Sequence, residues 1–349
     1  MAIVSGNNVI KDYIKKNYGN DIFKSSKDII ERKWDILRVS PAINAMLGGG
    51  IPTGSWVNLG GKPKCGKTTT VLWICYKAQK LLKMPIYYLN VEHRLKPMNF
   101  EGLDIDHANF HMIQSSEDKI LSAQDFLTIA EQILLNNSKI VMVIDSLAAL
   151  THEKELTEGI GASTRGGSAA LVAQFTRQMS AVVPIKNHII LTIQQIQANT
   201  SGYGSSTVLK GGYAIGYQGD IILRERGVTD WIVGDKQVGQ KVTWEADCTA
   251  LGGMPGSRCE SSLRYGGGID EINELITLGK GFGLISGSSW LLLDFIEDHL
   301  AEFGEKVWDE ATKSKYKTHG VEKMAVFLKE NPKIADTLES DIIKLIMGK

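Results

Sequence analysis

The stretch Gly61, Lys62, Pro63, Lys64, Cys65, Gly66, Lys67, Thr68 constrains this chain more than any other. It fits Gly-x-x-x-x-Gly-Lys-Ser/Thr, follows the apolar run Trp56 to Leu59 directly, and precedes a helical run, Thr69 to Leu82. A strand that turns through two glycines into a helix aims successive backbone N–H groups at one point, where the helix adds the positive end of its dipole. Such a turn cradles phosphate. Lys67 is expected to reach the outer phosphates, Thr68 to offer its hydroxyl to Mg2+, and Thr69 to belong to the same binding segment.

Around this loop, short apolar runs alternate with helical stretches: Ser55 to Leu59, Ile86 to Val91, Ile140 to Ile144, His188 to Ile193 and Asp220 to Leu223. The alternation predicts an α/β fold with a mostly parallel sheet covered by helices. In such sheets ligands bind at the carboxyl ends of the strands. Asp145 ends one apolar run in a Walker B arrangement and is expected to serve Mg2+ with Thr68; alone, a strand-terminal Asp is more often a turn-former, and it is the spacing after the P-loop that favours the metal role. Glu92 ends another run and is a candidate for orienting water, with a solvated Glu92–His93 turn as the plainer alternative. Gln195 ends a third.

A chain of 349 residues suggests two or three domains, and 43% hydrophobic with 22% charged residues is ordinary soluble composition. Residues 1–35 read as a helical module outside the main core, 36–284 as the ATPase core, and 285–349 as a small C-terminal α/β domain. The Gly-rich stretches Gly202 to Gly219 and Gly252 to Gly268 read as mobile loops and turns. Met1 to Lys16 lacks the apolar core of a signal peptide, and no run of 18 apolar residues occurs, so an intracellular, cytoplasmic protein without a membrane partner is expected. Cys65, Cys75, Cys248 and Cys259 lack metal-type spacing and read as reduced thiols.

Formal net charge is zero, so any nucleic-acid surface must be local. From Gly159 to Gly219 there is no Asp or Glu, where the chain's average would give about seven, while Arg165, Arg177, Lys186 and Lys210 lie inside. A surface facing a polyanion has this character, because acidic groups would repel phosphates. A buried helix (Ala169 to Met179) and strand would also be acid-poor. Tyr203, between Gly202 and Gly204, is placed to stack on bases or simply to cover a neighbouring surface.

In order and spacing, these residues resemble the RecA recombinases of bacteria and their phages. The resemblance rests on the P-loop; on Val91, Glu92, His93; on Val143 through Leu150; on Gln194, Gln195, Ile196; on Gly211, Gly212; on Tyr265, Gly266, Gly267, Gly268, Ile269; and on Phe327 through Pro332. It covers most of the chain from about residue 36 and implies a RecA-like P-loop ATPase core. It further implies ATP and Mg2+ as cofactors, with Glu92 activating water and Gln195 sensing the γ-phosphate for the DNA loop that follows. The DNA loops would be residues 157–166 and 197–210, with Arg165, Arg177, Tyr203, Lys210, Gly211 and Gly212 on the DNA side. Tyr265 would touch nucleotide across a subunit boundary, Tyr217 would join the same interface, and the N-terminal helices would pack on a neighbouring subunit. The expected partners are single-stranded DNA, homologous duplex DNA and further copies in a helical filament.

Three departures stand out. Lys96 and Asn99 replace an acidic and an aromatic residue that usually face the base. The lysine pair reaching a neighbour's phosphate falls near Thr249 and Leu251, with Lys241 or Arg258 as substitutes. Ile346 to Lys349 shows no acidic tail, so regulation through one is not expected, and a phage-type member fits beside a bacterial one. Three other functions share the core: a ring-forming motor or helicase, a non-catalytic ATP-binding DNA scaffold, and a regulatory ATPase acting on proteins.

Overall fold

The computed structural model describes residues 2–31, 33–158, 167–198, 207–209 and 219–348. The chain divides into two units, Met1–Asp35 and Ile36–Lys349. The first holds helices α1 (Ala2–Tyr18) and α2 (Ser26–Ile30). Ser25 starts α2 with a capping box: its hydroxyl accepts from the Asp28 amide, and the Asp28 carboxylate accepts from the Ser25 amide at 2.7 Å. Val9, Ile10 and Tyr13, spaced to share one face of α1, are all exposed.

The second unit opens with a small ribbon, β1 (Ile36–Leu37) against β2 (Ile51–Pro52), around α3 (Pro41–Leu47). β3 (Ser55–Gly61) then leads through the Gly-rich turn into α4 (Lys67–Leu82). β4 (Ile86–Asn90), β5 (Phe110–Ile113), α5 (Ala123–Asn136), β6 (Val141–Asp145), α6 (Glu153–Thr157), α7 (Gly167–Met179), α8 (Val182–Ile185) and β7 (Ile189–Ala198) follow. The strands order as β9-β3-β7-β6-β4-β5, all parallel, where β9 is Ile221–Val233. β7 runs past this sheet and pairs antiparallel with β8 (Thr207–Leu209). Beyond β9 the sheet continues antiparallel through β10 (Lys236–Cys248), β11 (Arg258–Arg264) and β12 (Gly268–Ile269). This is the mostly parallel α/β sheet that the sequence pattern predicts.

The central strands are continuous apolar runs because both faces are covered. Val141 and Val143 join the core beneath α4, with Leu72 and Ile74, whereas Met142 and Ile144 join the opposite core with Phe126 of α5 and Phe175 of α7.

Two sequence readings change. The run at Asp220–Leu223 is only the start of a 13-residue strand. Gly252 to Gly268 holds β11 and β12, paired in register, rather than loops and turns alone. β9 and β10 escape a search for apolar runs because one face carries alternating charges: Arg224 pairs with Asp247, Arg226 with Glu245. Their connection, Gly234–Asp235 between the paired residues Val233 and Lys236, is a two-residue hairpin turn whose Gly234 has φ +60.

The chain ends with α9 (Glu271–Gly281), β13 (Ile285–Ser286), β14 (Trp290–Leu293), α10 (Glu310–Lys315), β15 (Lys317–His319), α11 (Gly320–Glu330) and α12 (Pro332–Met347). They share their own core, including Leu275, Leu293, Met324, Leu328 and Leu338, and a three-stranded antiparallel sheet. Asn331 and Pro332 separate α11 from α12, as their stop signal predicts. Among the described residues no helix is long and apolar enough to cross a membrane.

Candidate nucleotide-binding site

β3 is buried along its whole length and delivers Gly61 to the start of the loop. A side chain at Gly61 would strike the Cys65 sulfur at 2.5 Å and Glu225 Cβ at 2.8 Å. Gly66 has φ +89, and a Cβ there would lie 2.2 Å from Leu263 Cδ1. Both glycines are therefore required by close packing, and Gly66 also by its left-handed backbone. Lys62 and Lys64 are exposed on the turn beside Pro63, and Cys65 is buried. Burial pushes the Cys65 thiol up despite the Lys67 charge beside it. The turn is anchored by Glu225 of β9, whose carboxylate accepts from the Lys62 amide at 3.0 Å.

Lys67 is buried, and its ammonium donates to the carbonyls of Gly61 at 2.9 Å and Lys62 at 2.6 Å. It thus lies over the concave side of the turn. The Thr68 hydroxyl faces Asp145 Oδ2 at 3.4 Å. The same carboxylate oxygen accepts from the Tyr88 hydroxyl at 2.6 Å, and the peptide after Asp145 is cis. Burial raises the Asp145 carboxyl above its ordinary range, opposed by the hydrogen bond from Tyr88; the nearby Glu92 charge adds to the rise. Thr68 and Asp145 offer hard oxygen donors side by side. That chemistry fits Mg2+, which takes few protein ligands and fills its shell from water and phosphate.

Glu92, Asp145 and Gln195 do converge. The Ser146 hydroxyl donates to Glu92 Oε1 at 2.5 Å, Gln195 Nε2 donates to the same oxygen at 3.4 Å, and Arg94 holds Oε2 at 3.0 Å. Gln195 does not end its strand: it lies where β7 leaves the parallel sheet and continues into the hairpin with β8. Tyr265 is exposed on the turn between β11 and β12, accepts from Gln237 at 3.0 Å, and lines a cavity of about 290 Å3 with Thr69, Asn99, Gln240 and Gly266. Asn99 is bound through its side-chain oxygen to the Lys96 amide at 2.8 Å.

Of the residues assigned to DNA, Arg165, Tyr203, Lys210, Gly211 and Gly212 lie outside the described residues, as does Tyr217. Arg177 is exposed on α7, whose Val172, Phe175 and Met179 face the core. Lys186 is committed elsewhere: its ammonium donates to the carbonyls of Leu135 and Asn137 and so closes the end of α5, before β7 begins. Within residues 167–194 the β7 positions are buried and would be acid-poor in any case, whereas on α7 only Val172, Phe175, Thr176 and Met179 are buried, so burial accounts for only part of the lack of acids there. Lys241 pairs with Glu260 at 2.9 Å and Arg258 with Glu245 at 2.5 Å.

Tyr88, Arg94 and Glu225 are not singled out by the sequence. Tyr88 is masked by its place in an apolar strand, and Glu225 by the alternating charges around it. Arg94, two residues after Glu92, carries a local signal that sequence alone does not assign.

A family model for the RecA N-terminal domain matches residues 7–270. Protein RecA of Wigglesworthia glossinidia brevipalpis is 28% identical over 285 residues, 80% of this chain and 83% of that protein. Protein RecA of Nitratiruptor is 28% identical over 301 residues, 84% of this chain and 79% of that one. Protein RecA of Macrococcus caseolyticus is 26% identical over 340 residues, 96% and 89% of the two chains. With a matched core that spans the loop at Lys67, both carboxylates and the sheet that carries them, the chain belongs to the RecA family of recombinases.

Proposed function

We propose that the chain is a DNA-dependent ATPase that assembles into filaments on single-stranded DNA and promotes pairing and strand exchange with homologous duplex DNA. The observation that carries this reading is the continuous contact path from the phosphate loop to the β7–β8 hairpin. It runs from Thr68 to Asp145, through Ser146 to Glu92, and on to Gln195. In this reading the loop amides and Lys67 hold the triphosphate, Thr68 and Asp145 hold Mg2+, and Glu92 takes the proton from attacking water. Mg2+ would neutralise phosphate charge as it develops. Gln195 changes partner between Glu92 and the terminal phosphate and so moves the hairpin that brackets residues 199–206.

DNA would be gripped through its backbone by Arg165, Arg177, Lys210 and the amides of Gly211 and Gly212, with Tyr203 against the bases; pairing, not the protein, reads sequence. The exposed Val9, Ile10 and Tyr13 face of α1 would give a second copy an apolar surface to cover, and residues 285–349 would serve as the small C-terminal α/β domain. The test is the rate of ATP hydrolysis with and without single-stranded DNA. We expect stimulation by DNA in the unaltered protein and a loss of at least about 100-fold in Lys67→Ala and in Glu92→Gln. Unchanged hydrolysis in both variants would refute the assigned site.

A further inference from the structure

The Glu92 carboxylate is fully engaged on its own side of the molecule. Oε1 accepts from Ser146 at 2.5 Å and faces Gln195 at 3.4 Å, while Oε2 lies 3.0 Å from Arg94. A base needs one oxygen open to the water it deprotonates. Ser146 is fully buried, and its hydroxyl is fixed beside Asp145, so Oε1 is the anchored oxygen. Arg94 differs: its side chain is 78% exposed against 12% for Glu92, and Glu92 is the one ion-pair or hydrogen-bond partner of that side chain among the described residues. The guanidinium can therefore swing into solvent without disturbing any packed surface, and Oε2 is the oxygen it would release.

We propose that Arg94 is a positioning residue that acts as a latch: it competes with water for Glu92 Oε2 and holds down turnover until it is displaced. This rests on the reading of Glu92 as the base. The pair is partly exposed, so its hold is modest and a several-fold effect is the expected scale. An arginine that instead stabilised charge on the transferring phosphate would act in the opposite direction, since removing it would slow the reaction.

The experiment compares Arg94→Ala, Arg94→Lys and Glu92→Gln in the full chain, without DNA, measuring kcat and KM for ATP, with equilibrium binding of Mg-ADP as a separate readout. The latch predicts that Arg94→Ala raises kcat about threefold while KM and Mg-ADP affinity stay within twofold, and that Arg94→Lys falls between. Arg94→Ala with kcat unchanged or reduced, alongside an inactive Glu92→Gln, would overturn the latch and leave the base assignment standing. Full activity in Glu92→Gln would overturn both. A merely structural role for Arg94 would change Mg-ADP binding, which the latch leaves alone.

Discussion

Tyr88 and Glu274 show how much single side chains decide here. The Tyr88 hydroxyl is the nearest partner of Asp145, and both are buried, so its hydrogen bond fixes which carboxylate oxygen faces Thr68. Removing a donor to a buried charge typically costs about 1.5–3 kcal/mol. Tyr88→Phe should weaken Mg2+-dependent nucleotide binding by about tenfold while binding measured in excess EDTA changes little; equal loss under both conditions would argue against a metal-side role. Glu274 of α9 is buried at the seam between α3 and β11: it accepts from the Ala42 amide at 3.0 Å, Ser261 at 2.7 Å and the Ser262 amide at 3.2 Å. Burial nevertheless lifts its carboxyl to about 7. The folded state thus keeps a proton that the unfolded chain, near the ordinary value of 4.5, gives up. Its contribution is complete below about pH 4.5 and falls as pH rises toward 7. Melting temperatures across that range should decline less steeply in Glu274→Gln than in the unaltered protein, and parallel profiles would contradict the assignment.

The elements matter through the partners that they hold in register. Gly66 begins α4 in a left-handed conformation beneath Leu263 of β11, so the phosphate turn is locked to a strand almost two hundred residues away. Gly66→Ala would add a left-handed strain of about 1–2 kcal/mol to the clash with Leu263. A fall in melting temperature together with loss of nucleotide binding is expected; a variant of normal stability and affinity would contradict the packing account. Glu225→Gln should spare the fold and lower nucleotide affinity by several-fold, because the Lys62 amide loses a charged acceptor. The parallel strands could be read in advance, since burial on both faces makes them unbroken apolar runs, and their carboxyl ends pointed to Glu92 and Asp145. The antiparallel half could not, because Arg224 and Arg226 satisfy Asp247 and Glu245 across the strands and the pattern looks polar. Tyr88 and Glu225 became visible only once pairing set Asn90 opposite Asp145 and Gly60 opposite Arg224.

At the scale of the whole molecule, zero net charge means that attraction to a polyanion must come from a face, not from the protein at large. Lys186 is spent on closing α5, so under the proposed function the load would fall on Arg165, Arg177 and Lys210. Affinity for single strands should fall steeply with salt, with a slope reduced by about 0.7 in Arg177→Ala. Electron microscopy should show open helical filaments; closed rings would favour a motor on the same core. The most direct measurement is the anisotropy of a labelled single-stranded oligonucleotide titrated with protein, without nucleotide and with Mg2+ and a non-hydrolysable ATP analogue. Binding tightened at least about tenfold by the analogue, and abolished as a response in Gln195→Ala, is the predicted result. No affinity for the oligonucleotide under either condition would contradict the coupling of phosphate loop to DNA face.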